Sequence, residues 1–271
     1  YPSYTGYITL DGTDQYIEVT DKAGVLFPTI SRKVTAESVL SPGRDPVFIE
    51  VDLAMPPEAN ARQFIFCHTS SDGVGYAAYV DASSSTLSAP ISFSVFSASF
   101  HTTATATVDK GRFSHLCFAY DSSPASKTAK IMSGSDIVAT SPRVSFDGIN
   151  TKGSSFVIGS GSQISLTGLS FSPSQTFSGS MNNVRVFHKM RSASDIQRYI
   201  KRTLFTDETS KLRMSFRFNE ATGSYANNEV VLDHSGNSLH SVIQDFDASV
   251  RSESPYTTLC EFEDTSYHPT L

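Results

Sequence analysis

Tryptophan is absent from the 271 residues, and cysteine occurs only three times. The first absence removes the indole plane, the largest stacking surface a protein can offer a sugar ring. Cys67, Cys117 and Cys260 form an odd set with none of the paired spacing that a zinc site needs. Cys67 and Cys117 lie inside apolar strand patterns and read as buried free thiols, small hydrophobes in effect. A bridge between them stays open if their two strands pair. Charge is scarce as well. Asp, Glu, Lys and Arg make up 18% of the chain, the net charge is −6 and the pI is near 5.6. Nucleic-acid binding needs clustered Lys and Arg to displace counterions, so that class is excluded. The one basic group, Lys189, Arg191, Arg198, Lys201 and Arg202, reads as the solvated face of a helix. There is no apolar run long enough to cross a bilayer and no signal-peptide pattern, so membrane insertion is not expected. No N-x-[ST] sequon occurs, which argues against a eukaryotic secreted glycoprotein. Long 3.6-residue periodicity is missing too, against bundles and α/β folds.

What is present points to strands. Nineteen Phe and eleven Tyr suit sheets packed through aromatic faces. Alternating apolar runs predict strands over 7–10, 15–19, 47–53, 62–68, 76–80, 91–96, 104–108, 113–120, 129–132, 154–158, 183–187 and 212–219. Gly, Pro, Ser and Asp clusters separate them. Ser70-Ser71-Asp72-Gly73 and Met132-Ser133-Gly134-Ser135 are turn sequences. Regular strands with turn chemistry between them predict an all-β, two-sheet antiparallel β-sandwich. Ser192 is a fitting N-cap for one short helix near 193–202. Phe113, Leu116, Phe118, Val184 and Val186 are the expected core. Stretches 82–88, 97–107 and 159–174 are rich in Ser and Thr and read as edge faces or loops.

Four segments, in order, carry a resemblance. Leu10-Asp11-Gly12-Thr13-Asp14-Gln15-Tyr16-Ile17-Glu18-Val19 comes first, then Lys110-Gly111-Arg112-Phe113-Ser114-His115-Leu116-Cys117-Phe118-Ala119-Tyr120-Asp121. Ser155-Phe156-Val157-Ile158-Gly159-Ser160 follows, then Gly179-Ser180-Met181-Asn182-Asn183-Val184-Arg185-Val186-Phe187 with Ser192-Ala193-Ser194-Asp195-Ile196. Together they resemble laminin-G-like, concanavalin-A-like jelly rolls, with Phe113 where that family usually has tryptophan. The resemblance implies a jelly roll and favours binding over catalysis. It also makes His115 a hydrogen-bonded core residue.

The C-terminal region resembles a family element out of order. Leu212–Glu220 alternates, and Asp233-His234-Ser235-Gly236-Asn237-Ser238-Leu239-His240 follows. In the family this element precedes the segment that here spans 10–19. Two readings stand. Residues 206–271 either start a following repeat or supply missing strands to the sandwich of residues 1–205. The second is favoured, because domain termini often lie close together. The polar tail from 248 onward is expected to wrap the surface or reach a neighbour.

Three chemistries are candidates. The resemblance implies a rim calcium, and the matching positions are Glu220, Asp233 and Asn182, with Asp233 also fitted to cap the Ser235-Gly236 turn. Glu50 and Asp52 share one strand face, as the carboxylates of sandwich hydrolases do. The third acid of that pattern is replaced by Ala54, so the chain is not expected to be an enzyme. Tyr76, Tyr79, Tyr120, Tyr225 and His240 are the available sugar-stacking rings. The expected function is a non-catalytic module for glycan or protein binding and adhesion, on an extracellular or virion surface. A purely structural block of a fibre, tail, capsid or filament is the alternative, and a glycoside hydrolase the remote one. Expected partners are glycan or neighbouring protein subunits, in a homo-oligomer or a larger assembly.

Overall fold

The computed structural model describes residues 6–20, 38–97, 100–144, 146, 148–200, 211–220 and 229–253. In chain order the described strands are β1 (Gly6–Asp11), β2 (Tyr16–Val19), β3 (Val47–Ala54), β4 (Gln63–Thr69), β5 (Val74–Val80) and β6 (Ser88–Ser97). Next come β7 (Phe100–Asp109), β8 (Ser114–Asp121), β9 (Thr128–Ser133), β10 (Asp136–Thr140), β11 (Phe156–Ile158), β12 (Ile164–Leu166), β13 (Leu169–Phe171) and β14 (Ser178–Phe187). The helix α1 (Ala193–Tyr199) precedes β15 (Leu212–Phe216), β16 (Val230–Val231), β17 (Ser241–Gln244) and β18 (Arg251–Glu253).

Two antiparallel sheets form the sandwich. The first runs β10-β9-β8-β3-β14-β1-β18, with β15 also on β14; the second runs β16-β17-β2-β11-β4-β5-β6-β7. Period-two alternation sorts the side chains. On β3, Ile49, Val51 and Leu53 enter the core between the sheets, so Glu50 and Asp52 point outward. On β14, Val184 and Val186 enter that core and Arg185 faces out. Asn183, at φ +47°, marks the bulge where the register against β3 shifts. The Ser/Thr-rich stretch over 97–107 is explained by the β6–β7 ladder. Its hydroxyls pair across the strands, Ser92 with Thr105 at 2.9 Å and Ser94 with Thr103 at 2.7 Å.

The C-terminal strands belong to both sheets. β15 pairs with β14, β17 with β2, and β18 with β1. The tail therefore begins with a 3-10 turn, Ala248–Val250, and the sheet strand β18 rather than as a surface wrap. Met214, Phe216, Phe218, Val231, Leu239, Ile243 and Val250 all lie in the central core.

Each outer face carries a smaller apolar cluster. On the first sheet, Phe48, Cys117, Ala119, Met132, Phe187 and Leu212 are covered by Ile196 of α1. On the second, Phe64, Cys67, Ala77, Tyr79 and Phe96 are covered by Ile164, Leu169 and Phe171 of the β12–β13 hairpin. Ser192 caps α1 in a reciprocal box with Asp195. The helix ends at Tyr199; the expected residues 201 and 202 lie outside the described residues.

Some expectations are corrected. Cys67 and Cys117 are free thiols on opposite sheets, each facing outward, so no bridge can join them. Cys260 lies outside the described residues. Phe113 is half-buried against Tyr7, at 5.6 Å between ring centres, rather than in the core. Leu116, Phe118, Val184 and Val186 are buried as expected.

His68 gives the sandwich an acid sensitivity. Its ring is fully buried on β4, 3.0 Å from the Tyr76 hydroxyl and 3.2 Å from the Ser154 carbonyl. Burial holds its imidazole down at about 3, against an ordinary 6.5. The unfolded chain therefore takes up a proton that the folded chain refuses between those values. This contribution to stability is complete above about 6.5 and is lost as pH falls toward 3. We expect urea denaturation to give a stability lower at about pH 4.5 than at pH 7, with roughly 3 kcal/mol of the loss carried by His68 and removed in His68→Gln, and a further part carried by the buried His188, held down at about 4. Equal stability at the two pH values would contradict a neutral buried His68.

Candidate functional site

The outer face of the first sheet concentrates charge. Glu50 is 1% exposed and accepts from Arg191 Nη1 at 2.7 Å and Arg185 Nη1 at 3.2 Å. Both guanidiniums also donate to α1, Arg185 to the Tyr199 carbonyl and Arg191 to the Asp195 carbonyl. Beside them, Asp52 accepts from His115 Nδ1 at 2.7 Å and from Asn183 Nδ2 at 3.0 Å, and His115 Nε2 lies 3.6 Å from Cys117 Sγ. The order Cys-His-Asp imitates a nucleophile, base and orienting acid. Cys117 is fully buried, however, and burial pushes its thiol well above the ordinary range, with the nearby Glu50 charge adding to the effect. A thiol that does not ionise is no nucleophile. Glu50, held between two arginines under a helix, has no path to a substrate. Glu50 is thus spent on its two arginines, Asp52 on His115 and Asn183, and His115 is the hydrogen-bonded residue the motif implied. Glu50, His115 and Cys117 bring ligand atoms within 4.8 Å of one another, but Glu50 is already neutralised by its arginines.

The residues expected to hold calcium are occupied by protein donors. Asp233 Oδ1 accepts from the Ser215 and Ser235 amides, and Oδ2 from the Leu239 amide and the Ser235 hydroxyl, all between 2.7 and 3.0 Å. Glu220 accepts from Arg251 at 2.7 Å and from the Leu232 amide at 2.7 Å. Asn182 Oδ1 accepts from the Asn183 amide at 2.7 Å. Calcium needs six or more oxygens with free lone pairs. Asp233 has spent all of its own, and Glu220 faces a guanidinium. The set does not fit the ion. Asp233 is instead the clasp that ties the 233–239 turn to β15. Its replacement by Ala strands four donors and is expected to lower stability by about 2–4 kcal/mol, while a calcium chelator leaves the melting temperature of the parent unchanged. A melting temperature that drops on chelation would restore the metal.

The rings expected to stack sugars are mostly sequestered. Tyr76, Tyr79 and Tyr120 are at most 5% exposed and face the packed interior. His240 is exposed, with Nδ1 taking the Asp233 amide proton. Tyr225 lies outside the described residues.

The open concavity is on the second sheet. One register line crosses β2, β11 and β4 through Glu18, Val157 and Cys67. All three side chains point outward, since Ile17, Phe156, Ile158 and Phe66 fill the core. The β12–β13 hairpin packs over Cys67 at one end of this line and leaves Val157 half-buried and Glu18 exposed. Gly161 sets the depth. A Cβ there would lie 2.7 Å from Cys67 and 2.8 Å from Phe64, so only glycine lets the 159–163 loop settle on the sheet. The β4–β5 turn, with Gly73 at φ +69°, closes one end, where a Cβ placed on Gly73 would lie 3.6 Å from Leu166 Cδ2. What remains is a cleft of about 600 Å³, of the size that takes small ligands. Val157, Phe96, Ile164 and Leu166 supply its apolar surface; Thr69 and six serines supply hydroxyls, Gln163 an amide and Glu18 a carboxylate. Cys67 adds no charge, because burial pushes its thiol up to about 11.

None of these cleft residues stands out in the sequence as a site. The signals were the Ser-Ser-Asp-Gly turn and the Gly/Ser-rich run after β11, which also fit ordinary loops.

A family model described as the concanavalin A-like lectin/glucanases superfamily matches residues 53–197, which is 145 of the 271 residues. No curated protein matches the chain. Among solved structures, a Bacteroides ovatus protein provisionally described as carbohydrate binding is 14% identical, with a TM-score of 0.59. The match covers 93% of this chain and 60% of that one, so this chain spans about three fifths of its length. A heptameric SAP-like pentraxin from Limulus polyphemus is 15% identical at a TM-score of 0.47, over 71% of this chain and 80% of that one. Domains LG4-5 of the mouse laminin alpha1 chain are 8% identical at 0.43, over 71% and 45%. At these identities the likeness is one of fold.

Proposed function

The chain belongs to the concanavalin A-like lectin/glucanases superfamily, and from that premise we propose that it is a non-catalytic module that binds glycan in the cleft over Glu18, Val157 and Cys67. The cleft carries this reading. Its hydroxyls, amide and carboxylate match the donors and acceptors of a sugar, and Val157 and Leu166 match the C–H face of a ring. The provisional description of the Bacteroides ovatus protein agrees with it. The burial of Glu50 under α1 supports binding without hydrolysis. Adhesion at an extracellular or virion surface is the setting in which such a module acts.

A glycan array, repeated with a calcium chelator, tests the proposal. Expected are saccharide hits that free sugar competes away, that persist without calcium and that Val157→Trp abolishes by filling the cleft. An array without hits, combined with concentration-dependent oligomers, would favour the purely structural reading. Release of shortened glycan would revive the hydrolase.

A further inference from the structure

We propose that the cleft selects uncharged saccharides, and that Glu18 sets this selectivity; the inference rests on the glycan reading above. Among the described residues that line the cleft, Glu18 is the one charged side chain and none is Lys, Arg or His. Recognition of a carboxylate or sulfate depends on charged donors, above all the arginine fork. A cleft that offers an anion none, and sets a carboxylate on its floor, repels it. Glu18 is exposed on β2, and its side chain accepts no hydrogen bond from the described residues. A carboxylate with both oxygens open accepts from two adjacent hydroxyls, the commonest donor pair on a neutral sugar ring.

Other hydroxyls of the cleft complete the match. The hydroxyls of Ser71, Ser155 and Ser165 line the same cleft and make no hydrogen bond with the described residues. They sit on three separate segments: the β4–β5 turn, the entry to β11 and the β12 strand. Each can donate or accept, so they suit a ligand whose own hydroxyls do both. Apolar Val157 lies between Glu18 and Cys67 on the register line and leaves a flat strip for ring carbons. The cleft thus combines one open carboxylate, neutral hydroxyls that donate or accept, and an apolar strip. The molecule's net charge of −6 works in the same direction.

The test uses oligosaccharides in matched pairs, one member neutral and the other capped with sialic acid or sulfate, printed on one array and titrated singly for the hits. Neutral members are expected to bind about tenfold or more tightly than their capped partners, a ratio set by a like charge a few ångströms away at intermediate dielectric. Glu18→Gln is expected to weaken neutral hits about tenfold and to narrow the gap within each pair; Glu18→Lys is expected to invert it. Val157→Trp is expected to remove every hit, which places the effect in the cleft. An exposed position leaves the melting temperatures of both Glu18 variants unchanged, so loss of fold is separable. Capped members binding as well as neutral ones, or Glu18→Gln without effect, would overturn the selectivity while leaving the glycan reading intact. An array with no hits at all would end both.

Discussion

Replacing Glu50 with alanine is expected to lower stability by about 3–5 kcal/mol, read from urea denaturation at neutral pH. The carboxylate is 1% exposed, and the Arg185 and Arg191 side chains beside it are 5% and 0% exposed. Its removal takes from two buried guanidiniums the carboxylate that both of them bond. Arg191 is further fixed by the Phe187 and Tyr199 rings, at 4.6 and 5.7 Å, and cannot turn out to water without losing them. The pair therefore links β3 and β14 to α1, and the helix should loosen first. Replacing all three residues by apolar ones of like size should cost less than Glu50→Ala alone, because the desolvation of the ions disappears with them. A loss below about 1 kcal/mol would show that water reaches this cluster.

Deleting residues 206–271 is expected to abolish the cooperative transition and leave the remainder insoluble. The deletion takes away β15, β16, β17 and β18, and with them partners of β14, β2 and β1. It uncovers the central core where Met214, Phe216, Phe218, Ile243 and Val250 now lie, each at most 2% exposed. Two apolar sheet edges would also open, the usual route to edge-to-edge aggregation. A truncated chain that melts cooperatively at the parent's temperature would mean that these strands belong to a different unit.

The fold was legible because its signals are local. Alternation on β3, β8 and β14 places the inward faces without reference to any partner, and Ser192 with Asp195 writes the start of α1 into four residues. β15 was legible as a strand from Met214, Phe216 and Phe218, whereas the short β16, β17 and β18 were not, and where all four pair is a tertiary fact. The sites were hidden for the same reason. Glu50 and Asp52 read as an exposed acidic pair until α1 and β14 bring Arg191, Arg185 and Asn183 onto them. Tyr76 and Tyr79 look the same in sequence whether they face a sugar or a hairpin, and the β12–β13 hairpin that buries Tyr79 has only three residues in each strand. Lys110 stands between β7 and β8, at the start of the 110–121 motif. It is 7% exposed and donates to the carbonyls of Ala59, Ser83 and Ser85, pinning two loops together. The cleft itself joins residue 18, residues 67–73 and residues 154–166, and no sequence period connects these segments.

The central claim is that this sandwich binds sugar in the cleft on its second sheet. An amide-resolved NMR titration with a neutral array hit tests it most directly. The account predicts saturable shifts confined to residues 18, 67, 69–73, 96, 154–157 and 161–166, with none at Asp233 or along α1. Shifts centred on the Asp233 turn or on α1, or none anywhere at saturating sugar, would contradict it.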